Sequence, residues 1–192
     1  MPDQKFQEAL DTLVEGNIRY ASGRSRGPDT SSDYRTALLT GQQPIAAIVA
    51  CSDSRVSPEI IFDQGLGDLF VVRTAGNLVD ELELESIDFA IHHLSVPLVL
   101  ILGHTRCGAV TAAAKLKNIS SADGKIAHFL APAIENAHQF SQDLIEGAVL
   151  ANITATVSRL NQIDRFATLV TQQSLQICGG IYHLENGKVR FI

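Results

Sequence analysis

The sequence contains no tryptophan and only three cysteines among its 192 residues, and no two of these cysteines form a Cys-x-x-Cys motif. An odd and small number of cysteines does not build a disulfide framework, and a thiol redox protein would carry the paired motif. We therefore expect Cys51, Cys107 and Cys178 to be reduced thiols.

The distribution of charged residues argues against a basic surface and against a leader segment. The formal net charge at pH 7 is -6, and lysine and arginine form no cluster with interleaved aromatic side chains, which argues against a nucleic-acid partner. The first twenty residues carry charged side chains throughout, so they form neither the apolar core of a signal peptide nor a membrane span. These absences predict a cytoplasmic protein that has neither a nucleic acid nor a membrane as its partner.

Strand and helix patterns alternate along the chain. Apolar runs predict buried strands over 44–50, 68–73 and 96–103, separated by segments with apolar residues at helical spacing. Near the C-terminus, the Glu-Asn-Gly sequence at 185–187 is a hairpin signal between two further strand patterns. The sequence therefore predicts an α/β fold: a central, mostly parallel β-sheet flanked by helices, with an antiparallel C-terminal edge strand. No G-x-G-x-x-G motif follows any of these strands, which argues against a dinucleotide site.

The N-terminal segment stands apart from these strands. Apolar residues at helical spacing predict an amphipathic helix over about residues 4–21, followed by a polar loop. We expect one domain over residues 1–192, with 1–40 as an N-terminal helical arm and 41–192 as the α/β core. The helix either covers one face of the sheet or lies on another subunit, and the sequence leaves both roles open. A loop is predicted over 117–124.

Two polar clusters follow two of the predicted strands. Cys-Ser-Asp-Ser-Arg occupies residues 51–55, and His-Thr-Arg-Cys-Gly occupies residues 104–108. Because the carboxyl ends of neighbouring parallel strands meet in one crevice, Cys51, His104 and Cys107 can converge there. Two thiolates and one imidazole are zinc ligands that leave the fourth tetrahedral position open. The alternative is two buried core cysteines beside an ordinary loop histidine, but polar residues at both strand ends favour the metal.

Asp53 and Arg55 follow the first candidate ligand closely. In extended chain, residues two apart face the same side, so both would point with Cys51. A bidentate pair with Arg55 would keep Asp53 from binding the metal and leave it as a hydrogen-bond acceptor beside the site. The alternative is a surface salt bridge of negligible energy. The closeness of the pair to a candidate ligand favours the functional role.

The two motifs together resemble the paired signature of the β-class carbonic anhydrases. Further segments of this sequence that carry the likeness are 41–44, 67–73, 75–77 and 179–182. The resemblance extends from about residue 40 to the C-terminus. It implies a zinc enzyme that hydrates carbon dioxide reversibly, giving bicarbonate and a proton through a zinc-bound hydroxide.

The resemblance also implies roles for individual residues. One Zn²⁺ per chain would be held by Cys51, His104 and Cys107, with Asp53 and Arg55 as the catalytic pair. The substrate-binding residues implied by similarity are Gln42, Phe70, Ala75, Phe89 and the backbone N–H of Gly108, with Phe89 coming from the same chain or from the partner subunit. The family forms dimers and larger assemblies in which N-terminal helices embrace the partner, so a homodimer or a dimer of dimers is expected.

One subgroup of the family carries a tryptophan three residues before the first ligand and forms a closed zinc site. This sequence has Ile48 there, so we expect the open form, with water as the fourth ligand. Two alternatives remain open from the sequence. The same zinc site could hydrolyse carbonyl sulfide or carbon disulfide, or the chain could be a non-catalytic zinc-binding regulatory module.

Overall fold

The computed structural model describes residues 2–116 and 124–192. Its helices and strands, in chain order, are α1 Pro2–Ala21, α2 Ser32–Ala37, β1 Ala46–Cys51, α3 Pro58–Ile61, β2 Leu69–Thr74, α4 Glu81–His92, β3 Leu98–His104, α5 Gly108–Ala114, α6 Lys125–Glu135, α7 Leu144–Asn161, α8 Asp164–Thr171, β4 Gln176–Tyr182 and β5 Val189–Phe191. Of the loop predicted over 117–124, residues 117–123 lie outside the described residues. Within the described ranges, no helix has both the length and the apolar character of a membrane span.

The strands form one five-stranded sheet in the order β2-β1-β3-β4-β5. The first four strands are parallel, and β5 pairs with β4 in the antiparallel direction. The predicted fold class is therefore confirmed. The chain passes from β1 to β2 on one side and then returns to β3 on the other side of β1, so the strand order reverses there and a crevice opens beyond the carboxyl ends of β1 and β3. Cys51 is the last residue of β1, and His104 is the last residue of β3.

Both faces of the sheet are covered, as expected for parallel strands. Successive side chains of β1 alternate between the faces. Ala46, Ile48 and Ala50 pack in a cluster that includes residues of α1 and α3, whereas Ala47 and Val49 pack in the cluster formed with α4 to α8. All five side chains are fully buried. The sheet is therefore a rigid base for the loops at its edge.

The N-terminal helix α1 covers one face of its own sheet. Leu13 is fully buried against the strands. Asn17 donates hydrogen bonds to the carbonyls of Ile61 and Gly187 and accepts one from the N–H of Val189. Of the two roles left open by the sequence, covering the sheet face is the one seen within this chain.

Helix α7 packs closely on the other face because β3 and β4 carry glycines beneath it. A Cβ added at Gly103 would lie 2.7 Å from side-chain carbons of both Ile153 and Val149, and one at Gly179 would lie 2.5 Å from Ile153. The residue before Ile153 in the helix, Asn152, is buried and reaches the turn that follows β2. Close packing at these glycines thus brings α7 to the edge of the crevice.

Candidate metal centre

Cys51, His104 and Cys107 converge in the crevice beyond β1 and β3. Their ligand atoms all lie within 4.8 Å of one another, and the three residues are at most 4% exposed. The sulfur atoms of Cys51 and Cys107 are 4.0 Å apart, about twice the length of a disulfide bond, so both cysteines are free thiols. The expected convergence of the two motifs is therefore present in the structure.

The imidazole of His104 has a defined orientation. Its Nδ1 lies 2.9 Å from the carbonyl oxygen of Thr105. A carbonyl can only accept a hydrogen bond, so we assign the ring hydrogen to Nδ1, which leaves the Nε2 lone pair free. Nε2 is buried and has no hydrogen-bond partner among the described residues, and Oδ2 of Asp53 lies 3.8 Å away. A buried nitrogen lone pair without a hydrogen bond is well suited to bind a metal ion.

The two thiols differ in acidity in the metal-free chain. Cys51 lies within hydrogen-bond distance of the Cys107 thiol and of the backbone N–H groups of Gly76 and Asp53, and these contacts lower the pKa of Cys51. The contact with Cys51, together with burial, raises the pKa of Cys107. Cys107 stands at the start of α5. The backbone N–H groups at the start of α5 lower the pKa of Cys107, but the neighbouring sulfur and burial outweigh them.

The residues present fit a zinc ion. With a Zn–S bond of about 2.3 Å, tetrahedral geometry places two sulfur ligands about 3.8 Å apart, close to the 4.0 Å found here. Two cysteines and one histidine leave a fourth position, which is the pattern of a catalytic rather than a structural site. Binding would displace the remaining thiol protons, since zinc binds thiolates.

Asp53 is held beside these ligands by Arg55. The Nε of Arg55 donates to Oδ1 at 2.9 Å, its Nη2 donates to Oδ2 at 2.7 Å, and its backbone N–H also donates to Oδ1. The side-chain hydrogen bonds from Arg55, more than any other contact, lower the pKa of Asp53. The predicted pair is present, but not in extended chain. β1 ends at Cys51, and a turn closed by the hydrogen bond from the N–H of Val56 to the carbonyl of Asp53 brings the two side chains together.

Two further residues that support the site were not singled out from the sequence. Arg73, in β2, donates hydrogen bonds to the carbonyls of Cys51 and Asp53. Asn152, on α7, donates to the carbonyl of Gly76, whose N–H contacts the sulfur of Cys51. Arg73 ends a segment that carries the family resemblance, and this signal could have found it. Nothing in the local sequence points to Asn152, because its contact spans 76 positions.

Two of the five predicted substrate-binding residues lie near the candidate metal ligands. Gly108 directly follows Cys107, and its N–H is at the start of α5. Ala75 directly follows Thr74, which pairs with Cys51 in the sheet. Ala75 also lines a cavity of about 480 Å³ together with Leu78 and other residues of the turn after β2, α4 and α6.

The other three lie towards the opposite end of the strands. Gln42 precedes β1, whereas Cys51 ends it, and Gln42 lines a shallow depression beside Gly67, just before β2. Phe70 is the second residue of β2, four positions and about 13 Å from the end of that strand. The ring of Phe89, on α4, lies 6.1 Å from the Phe70 ring and is 44% exposed. Within one chain, these three side chains are therefore not assembled with the metal ligands.

Comparison with known proteins agrees with the geometry. A protein-family model described as carbonic anhydrase matches residues 46–189, which is most of the chain. Carbonic anhydrase 2 of Mycobacterium tuberculosis is 38% identical over 193 aligned positions, which cover 98% of this chain and 93% of that protein. The chain belongs to the β-class carbonic anhydrases. Hydration of carbon dioxide is the function of this family.

Solved β-carbonic anhydrases share the fold. The β-carbonic anhydrase CcaA superposes with a TM-score of 0.74 at 28% identity, and the match covers 95% of this chain and 94% of that one. Tetrameric β-carbonic anhydrases from Sordaria macrospora match with a TM-score of 0.72, covering 96% of this chain and 97% of theirs; at 19% identity this likeness concerns the fold alone. The resemblance that the sequence motifs indicate is therefore confirmed.

Proposed function

We propose that this β-carbonic anhydrase converts carbon dioxide and water reversibly into bicarbonate and a proton at one zinc ion held by Cys51, His104 and Cys107. The observation that carries the proposal is the convergence of three buried ligand atoms within 4.8 Å, beside a carboxylate that an arginine holds. A zinc ion bound there would act as a Lewis acid and supply a nucleophile at neutral pH.

Asp53 has the task of orienting that nucleophile. Its pKa is lowered by the hydrogen bonds from Arg55, so it is an ionised acceptor at neutral pH. By accepting a hydrogen bond from that nucleophile, Asp53 would orient it towards the substrate carbon, and such orientation lowers the barrier. Because both carboxylate oxygens accept from Arg55, Asp53 is kept from becoming a fourth metal ligand. These roles explain why the pair adjoins the ligands, which a zinc module without catalysis would not require.

We further propose that a second copy of the chain completes the substrate pocket. Gln42, Phe70 and Phe89 lie away from the ligands of their own chain. Gln42 and Phe89 are exposed, and β2 is an edge strand of the sheet, so this side can face another subunit. Ala75 and Gly108 then line the pocket from one chain, and the other three residues line it from its partner. This arrangement requires at least a homodimer.

The domain organisation is proposed on the same footing. Residues 1–192 form one domain, in which the arm of residues 1–40 packs on the zinc-binding core of residues 41–192. Support comes from Leu13 and Asn17, which tie α1 to the sheet and to the hairpin after β4. Removing residues 1–40 should therefore expose apolar sheet surface and lower stability, which denaturant unfolding measures.

The catalytic proposal is tested by stopped-flow hydration of carbon dioxide from pH 6.5 to 9, on protein whose zinc content has been measured. The wild type should hold about one zinc per chain and be active. Cys51→Ser should lose both metal and activity. Cys178→Ser is the matched control, because this third thiol lies in β4 outside the cluster and burial raises its pKa to about 12. It should keep both.

Zinc-loaded wild type that hydrates no carbon dioxide at any pH would contradict the proposal. Carbonyl sulfide and carbon disulfide would then be the next substrates to test. Absence of all three activities would leave the non-catalytic zinc module.

The two-chain pocket is tested by mixing two inactive variants, Gln42→Ala and Asp53→Asn. If Gln42 serves the partner's metal, each mixed dimer has one site with both residues intact and one site that lacks both. Statistical mixing should then restore about a quarter of the wild-type activity, because half of the dimers are mixed and each has one of two sites intact. If the same chain supplied both residues, every site would lack one of them, and mixing would restore nothing.

A further inference from the structure

A group of hydrogen bonds surrounds Thr105, the residue that follows His104. Thr105 is 8% exposed, and its hydroxyl donates to Oε2 of Glu185 at 2.9 Å. The same hydroxyl accepts from the N–H of Leu184 at 3.1 Å, and the N–H of Thr105 donates to the carbonyl of Tyr182. Thr105 is thus fastened to the hairpin between β4 and β5, eighty positions away in sequence.

The position of Thr105 matters to the metal centre because its carbonyl contacts Nδ1 of His104. This contact fixes the ring tautomer and the direction of Nε2. Partners of this kind are known to orient metal-binding histidines and to raise their basicity. The next residue, Arg106, has a φ of 55°, which a non-glycine residue rarely adopts, so surrounding contacts must hold this turn in place. A shift of Thr105 would therefore turn the imidazole.

We propose that Glu185 is a positioning residue for the metal centre: it holds Thr105, whose carbonyl keeps His104 directed at the sulfur atoms of Cys51 and Cys107. The inference rests on the proposed function of these three residues as zinc ligands. It assigns a task to the hairpin between β4 and β5, which supplies no ligand itself.

The hairpin is also held by contacts that do not involve Glu185, although Oε1 of Glu185 lies 3.9 Å from Nδ1 of His183 within it. Asn17 of α1 binds the carbonyl of Gly187 and the N–H of Val189, and the N–H of His183 donates to the carbonyl of Lys188. The side chain of Glu185 is 50% exposed, so its removal leaves no cavity in the core. Its pKa is lowered, first by its own backbone N–H and then by Thr105, so it is an ionised acceptor for the hydroxyl. The geometry fits holding Thr105 in place better than supporting the fold.

The experiment compares Glu185→Ala, Glu185→Gln and Thr105→Val with the wild type in the full-length chain. Zinc affinity is measured by competition with a chelator, and the ¹⁵N shifts of His104 are measured in the metal-free protein. Glu185→Ala should weaken zinc binding about tenfold, and Thr105→Val about 10-fold to 100-fold. Both should move the ¹⁵N signature away from that of the Nδ1–H form.

Two variants separate positioning from a general structural effect. Glu185→Gln keeps an oxygen that can accept from Thr105, so it should bind zinc nearly as tightly as the wild type. Glu85→Ala removes an exposed glutamate of α4 and should change neither measurement. The double variant Thr105→Val/Glu185→Ala should bind zinc no more weakly than Thr105→Val alone, since both changes break one connection.

Wild-type zinc affinity and an unchanged His104 spectrum in Glu185→Ala would overturn the inference. A Glu185→Gln variant as defective as Glu185→Ala would overturn it too, because charge and not the hydrogen bond would then be responsible. Failure of the proposed function is distinguishable from failure of this inference. In the first case the wild type itself would bind no zinc, but the ¹⁵N shifts of His104 in the metal-free protein would still report whether Glu185 orients that ring.

Discussion

Replacing Arg55 by glutamine tests whether Asp53 works only while the guanidinium holds it. In the structure, Arg55 gives one side-chain hydrogen bond to each oxygen of the carboxylate, at 2.9 and 2.7 Å. Glutamine is shorter, uncharged and unable to supply this bidentate pairing. The backbone N–H that also donates to Oδ1 is retained, so Asp53 keeps one of its three contacts with residue 55.

The expected loss of activity follows from where the freed carboxylate can go. Oδ2 of Asp53 lies 3.8 Å from Nε2 of His104, the atom directed at the metal position. Rotation of an unrestrained carboxylate displaces its oxygens by about 1 Å or more, and a misplacement of that size costs about 100-fold in rate. We expect kcat/KM to fall by about this factor. Zinc content should stay at the wild-type level, because Cys51, His104 and Cys107 are unchanged.

Protonation of Asp53 should not explain the loss. Arg55 lowers the pKa of Asp53, so the substitution should return that pKa towards its ordinary value of about 4. That value is still well below the range from pH 6.5 to 9. The carboxylate therefore stays ionised in the variant, and raising the pH within this range should not restore the rate.

The assay is stopped-flow hydration of carbon dioxide by Arg55→Gln, Asp53→Asn and the double variant, with Arg190→Gln as control. Arg190 is exposed on β5, so its replacement should change little. Asp53→Asn removes the proton acceptor and should cost about 10²-fold to 10⁴-fold. If Arg55 acts only through Asp53, the double variant should match Asp53→Asn within about threefold. The reasoning is refuted if Arg55→Gln still lowers the rate about 100-fold when Asp53 is already asparagine.

Three further predictions concern the metal and the fold. Metal analysis of Cys51→Ser should find far less than one zinc per chain, and wild-type zinc content would contradict the ligand assignment. Asp63→Asn removes the ion pair with Arg19 and should lower the free energy of unfolding by about 1–3 kcal/mol at pH 7. Burial alone would raise the pKa of Asp63, but its hydrogen bonds outweigh burial and lower that pKa. The contribution of Asp63 to stability is therefore complete above the unfolded pKa of about 4, and it is lost as the pH falls through the folded pKa. The difference between wild type and Asp63→Asn in denaturant unfolding should therefore shrink below about pH 4, and a constant difference would exclude the ionised pair as its source. Gly103→Ala places a Cβ 2.7 Å from Cδ1 of Ile153 and should lower the free energy of unfolding by about 1–3 kcal/mol. Valine at position 153 lacks that Cδ1 carbon, so the same substitution in an Ile153→Val background should cost less.

The order and type of the main elements could be predicted because their patterns are local. Apolar runs before Cys51 and before His104 indicated buried strands, and the Glu-Asn-Gly turn indicated the last hairpin. Strand bounds moved by one or two residues, as between the predicted 96–103 and the observed Leu98–His104. Such ends depend on pairing with neighbouring strands, and a single sequence does not contain this information.

The convergence of Cys51, His104 and Cys107 was predictable for a different reason. Each motif follows a strand of a parallel sheet, and strand ends of this kind share one crevice. Contacts over long sequence distances were not predictable. Asn152 meets Gly76, and Thr105 meets Glu185, only because α7 and the last hairpin pack where they do. Neither contact has a local sequence pattern, so a folded chain is needed to find it.

The strand-end rule also separates two groups of residues that the family resemblance puts into one site. Three of these residues lie at the crevice. Cys51 ends β1, Ala75 directly follows β2, and Gly108 lies in the segment after β3. Gln42 precedes β1 and Phe70 lies at the beginning of β2, so the same rule assigns both residues to the amino ends of the strands, opposite the crevice. A parallel strand cannot bring its two ends to one point. If all these residues contact one substrate, a second chain must supply Gln42 and Phe70. The sheet that brings the candidate metal ligands together at one end of its strands would then also present, at the other end, the residues that face the partner chain.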